Sequence, residues 1–378
     1  MRVTFLTSKL NFVNGGGSNF CRHNKSIFLQ NHGCEVKIIT VFSDRNKFVA
    51  KPSYKILEEN INYDNLFHFH KSIKAILKKY EEQTDIYHVD GHIFLYGAGL
   101  YKKQGGKLTI AHFDNLFPEI FSSGSGWFYR MKLFLRKCFI KTFLLKTMNS
   151  LDLLTFGSPI LRDKYRDFGL DTKCSLILPS FTDFSPLDRA GHFSCKSQGG
   201  FHVLYVGRLV KEKGVNLILE AAKLLNRDDY VLDIVGDGPD KQNLVSQAGA
   251  LGIGDRVNWY SWIDRKDISA VYKHAQVFIS PSIIPECFGM TTAEAMYCGL
   301  PVIVSSGTGP AWIAENGAGL IFKNGQAADL AEKIRTVLDD KKLREKLARS
   351  GLTRVENLKY KKFALELYEK MKELSLNN

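Results

Sequence analysis

Pro285-Glu286-Cys287-Phe288-Gly289-Met290-Thr291-Thr292-Ala293-Glu294-Ala295-Met296 places two carboxylates on one short stretch with seven residues between them. Ahead of it, Val277-Phe278-Ile279 is an apolar run that reads as a buried parallel strand, and Pro281 through Pro285 is a turn. Behind it, small residues and a helix-like pattern begin at Thr291. The order strand, loop, helix predicts one βα step of a doubly wound sheet, with Phe288-Gly289-Met290-Thr291 at the helix entrance. Backbone N–H groups and the positive end of the helix dipole gather there, a seat for a phosphate or a sugar hydroxyl. Glu286 is expected in the loop and Glu294 about two turns inside the helix.

A carboxylate repels a phosphate but accepts hydrogen bonds from hydroxyls, which a sugar or ribose supplies in pairs. Amides for phosphate and carboxylates for hydroxyls together suit a sugar nucleotide. The same residues also suit a helix start with one favourable acid, Glu286, and a solvated Glu294, so the rest of the chain has to decide.

Upstream, Phe201-His202-Val203-Leu204-Tyr205-Val206 is a strand ending at Gly207-Arg208, and Lys213-Gly214 opens a helix over Asn216–Leu225. Two cations within six residues at a strand end make a diphosphate clamp, Arg as a fork of donors and Lys as a point charge. Solvated surface cations are the plainer alternative. Strands follow at Val231–Gly236, Val257–Tyr260, Val277–Ser280, Pro301–Val304 and Gly319–Phe322, then helices at Ala327–Leu338, Leu343–Ala348 and Lys361–Leu374. Pro186 through Gly200 is polar, glycine-rich and without period, and reads as a linker. We therefore expect one domain over 1–186, joined by a C-terminal helix at 361–378 that crosses back to it, and a second over 187–360.

The first half opens with strand Val3–Thr7, the loop Asn14-Gly15-Gly16-Gly17-Ser18-Asn19, a helix from Phe20 to Asn31 and strand Glu35–Thr40, a βαβ unit. Gly16 and Gly17 let the backbone come close to a ligand, or simply make a tight turn. The spacing is not the GxGxxG of dinucleotide binders. Further strands are read at Asp85–Val89, Leu108–Asp114, Leu151–Phe156 and Leu176–Pro179. His112 stands at the carboxyl end of its strand, where ligands of open α/β sheets sit, and is the best histidine for a site role. A hydrogen-bonded core histidine is the competing reading, and His88 and His92 are read that way. No histidine or cysteine spacing fits a metal site.

With 378 residues, two cores are expected. The seven cysteines form no CxxC pair and read as reduced core thiols of a cytoplasmic protein. No leader segment and no apolar run of membrane-spanning length is read. The net charge of +13 is uneven: residues 1–186 hold 26 Lys and Arg against 16 Asp and Glu. Lys71–Tyr80 is a basic amphipathic helix, and Trp127–Lys146 sets six cations among aromatic and aliphatic residues with no acid between Glu119 and Asp152. Helical spacing puts Phe128, Met131, Leu135, Phe139 and Thr142 near one face. That composition suits an anionic membrane surface, or an ordinary helix packed on its sheet. No nucleic-acid-binding module is visible.

These residues together resemble the retaining glycosyltransferases of the two-Rossmann-domain (GT-B) type, in the group with a Glu, seven residues, Glu motif. The resemblance rests on Val206-Gly207-Arg208-Leu209, Lys213-Gly214, Val235-Gly236-Asp237-Gly238-Pro239, the stretch from Pro281-Ser282 to Met296, Cys298–Ile303 and Gly317–Leu320. It is looser in the first half, through Gly16-Gly17, Asn31–Val36, Asp85–His88 and His112–Asp114. It implies an α/β protein of two facing Rossmann-like domains with a donor cleft, using a nucleotide-sugar donor and a glycan or lipid-linked acceptor, without cofactor or bound metal. Arg208 and Lys213, with Gly16 and Gly17, would hold the donor diphosphate. Glu294 would bind the ribose, and Glu286 with Phe288, Gly289, Met290 and Thr291 the donor sugar. His112 would lie by the reacting sugar. The excess of cations in the first half, the acid-free 127–146 stretch and the basic helix at 71–80 lead us to expect work at the cytoplasmic face of the membrane, as a peripheral enzyme of cell-surface polysaccharide synthesis. The alternatives are a sugar-nucleotide epimerase on the same fold, which the Glu pair disfavours, and a non-catalytic assembly protein at the membrane. Two departures stand out: Pro179-Ser180-Phe181-Thr182-Asp183 replaces the usual Asn-Gly-Val-Asp, and Gly309-Pro310-Ala311 lacks the acid that many members carry after Pro.

Overall fold

A computed structural model describes residues 1–12, 17–48, 52–62, 65–116, 127–180, 184–188, 199–264 and 267–376, with only the backbone at 17, 18, 66, 67 and 127–129. The chain divides into two compact units, Met1–Thr182 with Tyr360–Asn378, and Asp183–Lys359.

Unit 1 is built on seven parallel strands: β1 Arg2–Thr7, β2 Glu35–Thr40, β3 Lys55–Glu58, β4 Ile86–Asp90, β5 Leu108–Phe113, β6 Leu153–Phe156 and β7 Ser175–Ile177, in the order β3-β2-β1-β4-β5-β6-β7. Parallel strands need crossovers, and the crossovers put helices on both faces of the sheet. Val3 and Phe5 on one face and Thr4 and Leu6 on the other are accordingly all buried. Fully burying one such Phe or Leu stabilises by roughly 1.5–3 kcal/mol. The helix Tyr360–Leu376 closes one face, its Ala364, Leu367 and Met371 packing into the core that holds Val3, Phe5, Ile38 and Ile110. The Tyr368 hydroxyl donates to the carbonyl of His32 at 3.1 Å.

Unit 2 repeats the plan with β8 Phe201–Val206, β9 Tyr230–Val235, β10 Val257–Tyr260, β11 Val277–Ser280, β12 Val302–Ser305 and β13 Leu320–Phe322, in the order β10-β9-β8-β11-β12-β13. Val203, Ile234, Val277, Ile279 and Ile303 fill its core beneath the helices Val215–Leu225 and Ala327–Asp339. In both sheets the strand order reverses once, between β1 and β4 and between β8 and β11. Chains leaving neighbouring strands there run to opposite faces and leave a crevice at the carboxyl ends, the usual ligand position.

Several expectations need correction. The helix expected over Leu343–Ala348 runs over Lys341–Asn357, started by the Asp340 carboxylate accepting from the Leu343 amide. Only Cys34 among the described cysteines is buried, while Cys138 and Cys174 are exposed, so these thiols are not uniformly core residues. Most of the expected linker, 189–198, lies outside the described residues, as do Cys195 and Gly16.

Candidate active site

In unit 2 the crevice between β8 and β11 is bounded by two loops that are fastened together. Gly214, the last loop residue before the helix Val215–Leu225, has φ +66°, and a Cβ there would sit 2.3 Å from the Pro281 carbonyl oxygen. Only glycine permits that approach. The Ile283 amide donates to the Glu212 carbonyl at 3.1 Å. Fixed in this way, Lys213 places its Nζ 2.7 Å from Glu286 Oε2 with about a quarter of its side chain exposed. The Ser282 hydroxyl donates to the other oxygen of Glu286, and the Glu286 carbonyl accepts from the Gly309 amide at 3.0 Å. Gly309 also lies so close under Cys287 that a Cβ would be 2.6 Å from its carbonyl carbon.

Arg208 follows β8 and is exposed. Its loop is laid on the turn after β9: Gly236, at φ +141°, would drive a Cβ to 1.9 Å from the Gly207 carbonyl oxygen. The Leu209 amide donates to the Asp237 carbonyl at 2.9 Å. The Arg208 carbonyl accepts from the buried Tyr205 hydroxyl at 2.9 Å. Burial, with Glu286 close by, raises the Tyr205 pKa, so this phenol stays a donor. Two cations and a carboxylate thus stand at the carboxyl end of the sheet. The glycines of the supporting turns, Gly207, Gly214, Gly236 and Gly238, add no side chain there.

The helix Met290–Tyr297 begins after Gly289, with no side-chain cap. Phe288 is buried, its ring edge-on to Trp312 at 6.2 Å, which leaves its backbone rather than its side chain for a ligand. Met290 and Thr291 are half-buried in the first turn. Glu294 is the fifth residue of the helix, a little over one turn in and not two, because the helix starts as late as Met290. It is not solvated: it is 8% exposed, and its Oε2 accepts from the buried Tyr272 hydroxyl at 3.0 Å.

Unit 1 places a denser charge cluster at its own switch point. His112 Nδ1 lies 2.9 Å from Thr155 Oγ1, and that hydroxyl donates to the Ala111 carbonyl at 3.0 Å. The hydroxyl hydrogen being committed, Nδ1 is the protonated nitrogen of His112 and Nε2 its acceptor. Burial and the Lys25 charge lower the His112 pKa to about 3. Beside it, His88 is lowered to about 4 by burial and by Lys25, and its ring is 6.1 Å from that of His112. Asp90, the last residue of β4, holds Arg22 Nε at 2.7 Å, Lys25 Nζ at 3.7 Å and His88 Nδ1 at 2.8 Å, all nine-tenths or more buried. Burial alone would raise the Asp90 pKa, but Lys25, His88 and Arg22 outweigh it and hold the carboxyl well below its usual range. A cavity of about 210 Å³ opens onto this group, lined by Thr7, Asn19, Arg22, Asp90, His92 and Asp114. Gly17 begins the helix Gly17–Asn31 that carries Arg22 and Lys25.

Sequence reading missed Arg22, Lys25 and Asp90, and also Tyr272 and Ser282. Asp90 had a usable signal: it closes an apolar strand and precedes Gly91, the same position His112 holds one strand along. Arg22 and Lys25 are three apart on the helix after the glycine loop, so they share a face. One group of metal-ligand residue types, His202, Asp233 and His274, occurs among the described residues. It lies at the amino end of β8, the opposite end from Arg208, and Asp233 is already bonded by His202 at 2.6 Å and Asn258 at 2.9 Å.

Residues 194–354 match the family model described as Glycosyl transferases group 1. The alpha-D-kanosaminyltransferase of Streptomyces kanamyceticus is 32% identical over 152 residues, 39% of this chain and 39% of that protein. A capsular polysaccharide biosynthesis glycosyltransferase of Staphylococcus aureus is 30% identical over 159 residues, 42% of each chain. The matched segment spans about two-fifths of the length of these curated relatives. The crystal structure of Anabaena HepE in complex with UDP-glucose superposes with a TM-score of 0.72 at 18% identity, covering 99% of this chain and 100% of that one. At that identity the likeness is one of fold, and the fold is GT-B.

Proposed function

We propose, from the match of residues 194–354 to the group 1 glycosyl transferase model, that the protein is a retaining glycosyltransferase that moves a sugar from a nucleotide-sugar to a glycan or lipid-linked acceptor in polysaccharide synthesis. The observation that carries this is the Lys213–Glu286 ion pair, with the exposed Arg208 following β8, at the carboxyl ends of the unit 2 strands and within the matched segment. When the anomeric C–O bond breaks, negative charge collects on the diphosphate. Arg208 and Lys213 stand where they would stabilise it, a task done elsewhere by a divalent ion. Glu286 and the backbone from Phe288 to Thr291 would hold the sugar hydroxyls, and Glu294 the ribose. The unit 1 cavity beside Asp90 and Asp114 would take the acceptor. The partners named for the relatives, UDP-glucose for HepE and a capsular polysaccharide for the Staphylococcus protein, suggest the first donor and product class to try.

The test is a thermal-shift panel of UDP, GDP, ADP and their glucose conjugates, followed by NMR of the product's anomeric configuration with and without EDTA. A ligand that binds only the native state raises Tm by mass action. We expect one nucleotide series to stabilise the wild type and not Arg208→Ala, and a product of retained configuration formed in EDTA. No shift with any nucleotide, or an inverted product, would overturn the reading.

A further inference from the structure

Two helices of unit 1 carry the same basic amphipathic pattern and end in opposite environments. In Leu66–Lys79 the apolar residues Ile73, Ile76 and Leu77 are buried, and Lys78 and Lys79 pair with Glu81 and Glu59. The sequence-based reading of this helix as a membrane contact is therefore corrected: its apolar face is the core's and its last cations are neutralised. The helix Trp127–Phe139, continued as a π-helical segment Ile140–Leu145 and a last turn Lys146–Met148, differs. Its far end is anchored by the buried Ile140, Leu145, Thr147 and Met148. On its other side, Met131, Phe134, Leu135, Phe139 and Phe143 are exposed by 41%, 64%, 61%, 49% and 55%.

Four of these, Met131, Leu135, Phe139 and Phe143, form one stripe, with Phe134 on its flank. On an α-helix each step of four residues drifts about 40° around the axis. A π segment takes more residues per turn and reverses that drift. Phe143 accordingly stays over Phe139, with ring centroids 5.3 Å apart, and the stripe of 131, 135, 139 and 143 remains on one side. Soluble surfaces seldom leave so large an apolar patch unused. The patch lies among Arg130, Lys132, Arg136, Lys137, Lys141 and Lys146, with no acid from 120 to 151. No helix among the described residues is long and apolar enough to cross a membrane.

We propose that Trp127–Met148 lies in the interface of an anionic phospholipid bilayer, with the stripe from Met131 to Phe143 inserted among the acyl chains and the flanking cations on the headgroups. Charge complementarity chooses the occupant. A protein partner would offer a pocket for the aromatics but has no general reason to require six cations and no acids. A second copy of this chain would bring like charge against like. This inference is independent of the sugar-transfer reading, since it rests on a different part of unit 1.

The test is sedimentation of the full chain with vesicles of phosphatidylcholine alone and of phosphatidylcholine mixed with phosphatidylglycerol, at low and high potassium chloride. We expect binding to the anionic vesicles only, weakened by salt. Each cation near an anionic surface contributes about fivefold, so Lys132→Gln/Lys137→Gln/Lys141→Gln should lose about a hundredfold. Phe134→Ser/Leu135→Ser/Phe139→Ser should lose at least about tenfold. All six positions are at least partly exposed, so far-ultraviolet circular dichroism and Tm should be unchanged. Equal binding to both vesicles, binding to neither, or full binding by either variant would overturn the proposal. So would a dimer in light scattering that the Phe134, Leu135 and Phe139 changes dissolve, which would give the face to a second copy.

Discussion

The two units place the same kinds of charge at the same point of the same topology, at opposite depths. In unit 1 two cations and a carboxylate, Arg22, Lys25 and Asp90, are nine-tenths or more buried and bonded to one another. In unit 2 Arg208 is exposed, and the Lys213–Glu286 pair keeps about a fifth to a quarter of its surface. Buried charges must be balanced from within, so the unit 1 set is committed to the fold and can act only on what enters its cavity. The unit 2 set remains partly hydrated and retains capacity for an ionic ligand. The difference predicts that equivalent substitutions damage stability in one unit and catalysis in the other.

The sharpest break of that contrast is Asp90→Asn. It leaves Arg22 and Lys25 buried without their counter-charge, which should cost about 3–5 kcal/mol of unfolding free energy. Urea denaturation should show the midpoint falling at constant slope. A midpoint shifted no more than that of Glu286→Gln would erase the distinction between the units.

Next in size, Arg208→Ala and Lys213→Ala should each lower kcat/KM by about ten- to a hundredfold, since a charged donor to a diphosphate is worth roughly 1.5–3 kcal/mol. Their urea midpoints should fall far less than that of Asp90→Asn, because Arg208 is exposed and the Lys213–Glu286 pair stays partly hydrated. Within the same site, Glu286→Gln should act mainly on kcat and Glu294→Gln mainly on donor KM. If both change KM alone, the division between sugar and ribose is wrong.

Acid should act on unit 1 first. His88, His112 and His70, lowered to about 4, 3 and 4, are neutral when folded and take up protons when unfolded. With folded values below the unfolded value of about 6.5, stability is fully present above that pH and is lost as pH falls towards 4. Each contributes at most about 1.4 kcal/mol per pH unit in that window. His70→Gln should reduce the slope of Tm against pH between 6.5 and 5; an unchanged slope would show that this histidine is not neutral in the fold.

The smallest expected effect is that of Tyr272→Phe. Losing one hydroxyl donor to Glu294 should raise donor KM by about two- to tenfold, for a bond worth about 0.5–1.5 kcal/mol, with kcat kept. A matching fall in kcat would place Glu294 nearer the chemistry than the ribose.

Much of this was legible from residue pattern. The central strands are runs of Val, Ile, Leu and Phe buried on both faces, and turn glycines mark their ends. β3, Lys55-Ile56-Leu57-Glu58, escaped because an edge strand is short and charged at both ends. The candidate site residues of unit 2 could be picked out because Arg208, Lys213, Glu286 and Glu294 each stand near a glycine turn or helix entrance. The Asp90 cluster could not, since its members are 68 and 65 residues apart in sequence and meet only through the pairing of β1 with β4. The two basic helices show the firmest limit: periodicity reveals an apolar face but not what covers it.

One feature of unit 2 bears on motion. The Lys213–Glu286 contact, the Ile283 amide on Glu212 and the Gly309 amide on Glu286 tie three separate loops at few points. Losing any one tie loosens the others, so these segments should open as a single cooperative unit rather than fray one at a time. In native-state hydrogen exchange, the Ile283 and Gly309 amides would share one opening free energy. A bound nucleotide diphosphate would slow both by the same factor.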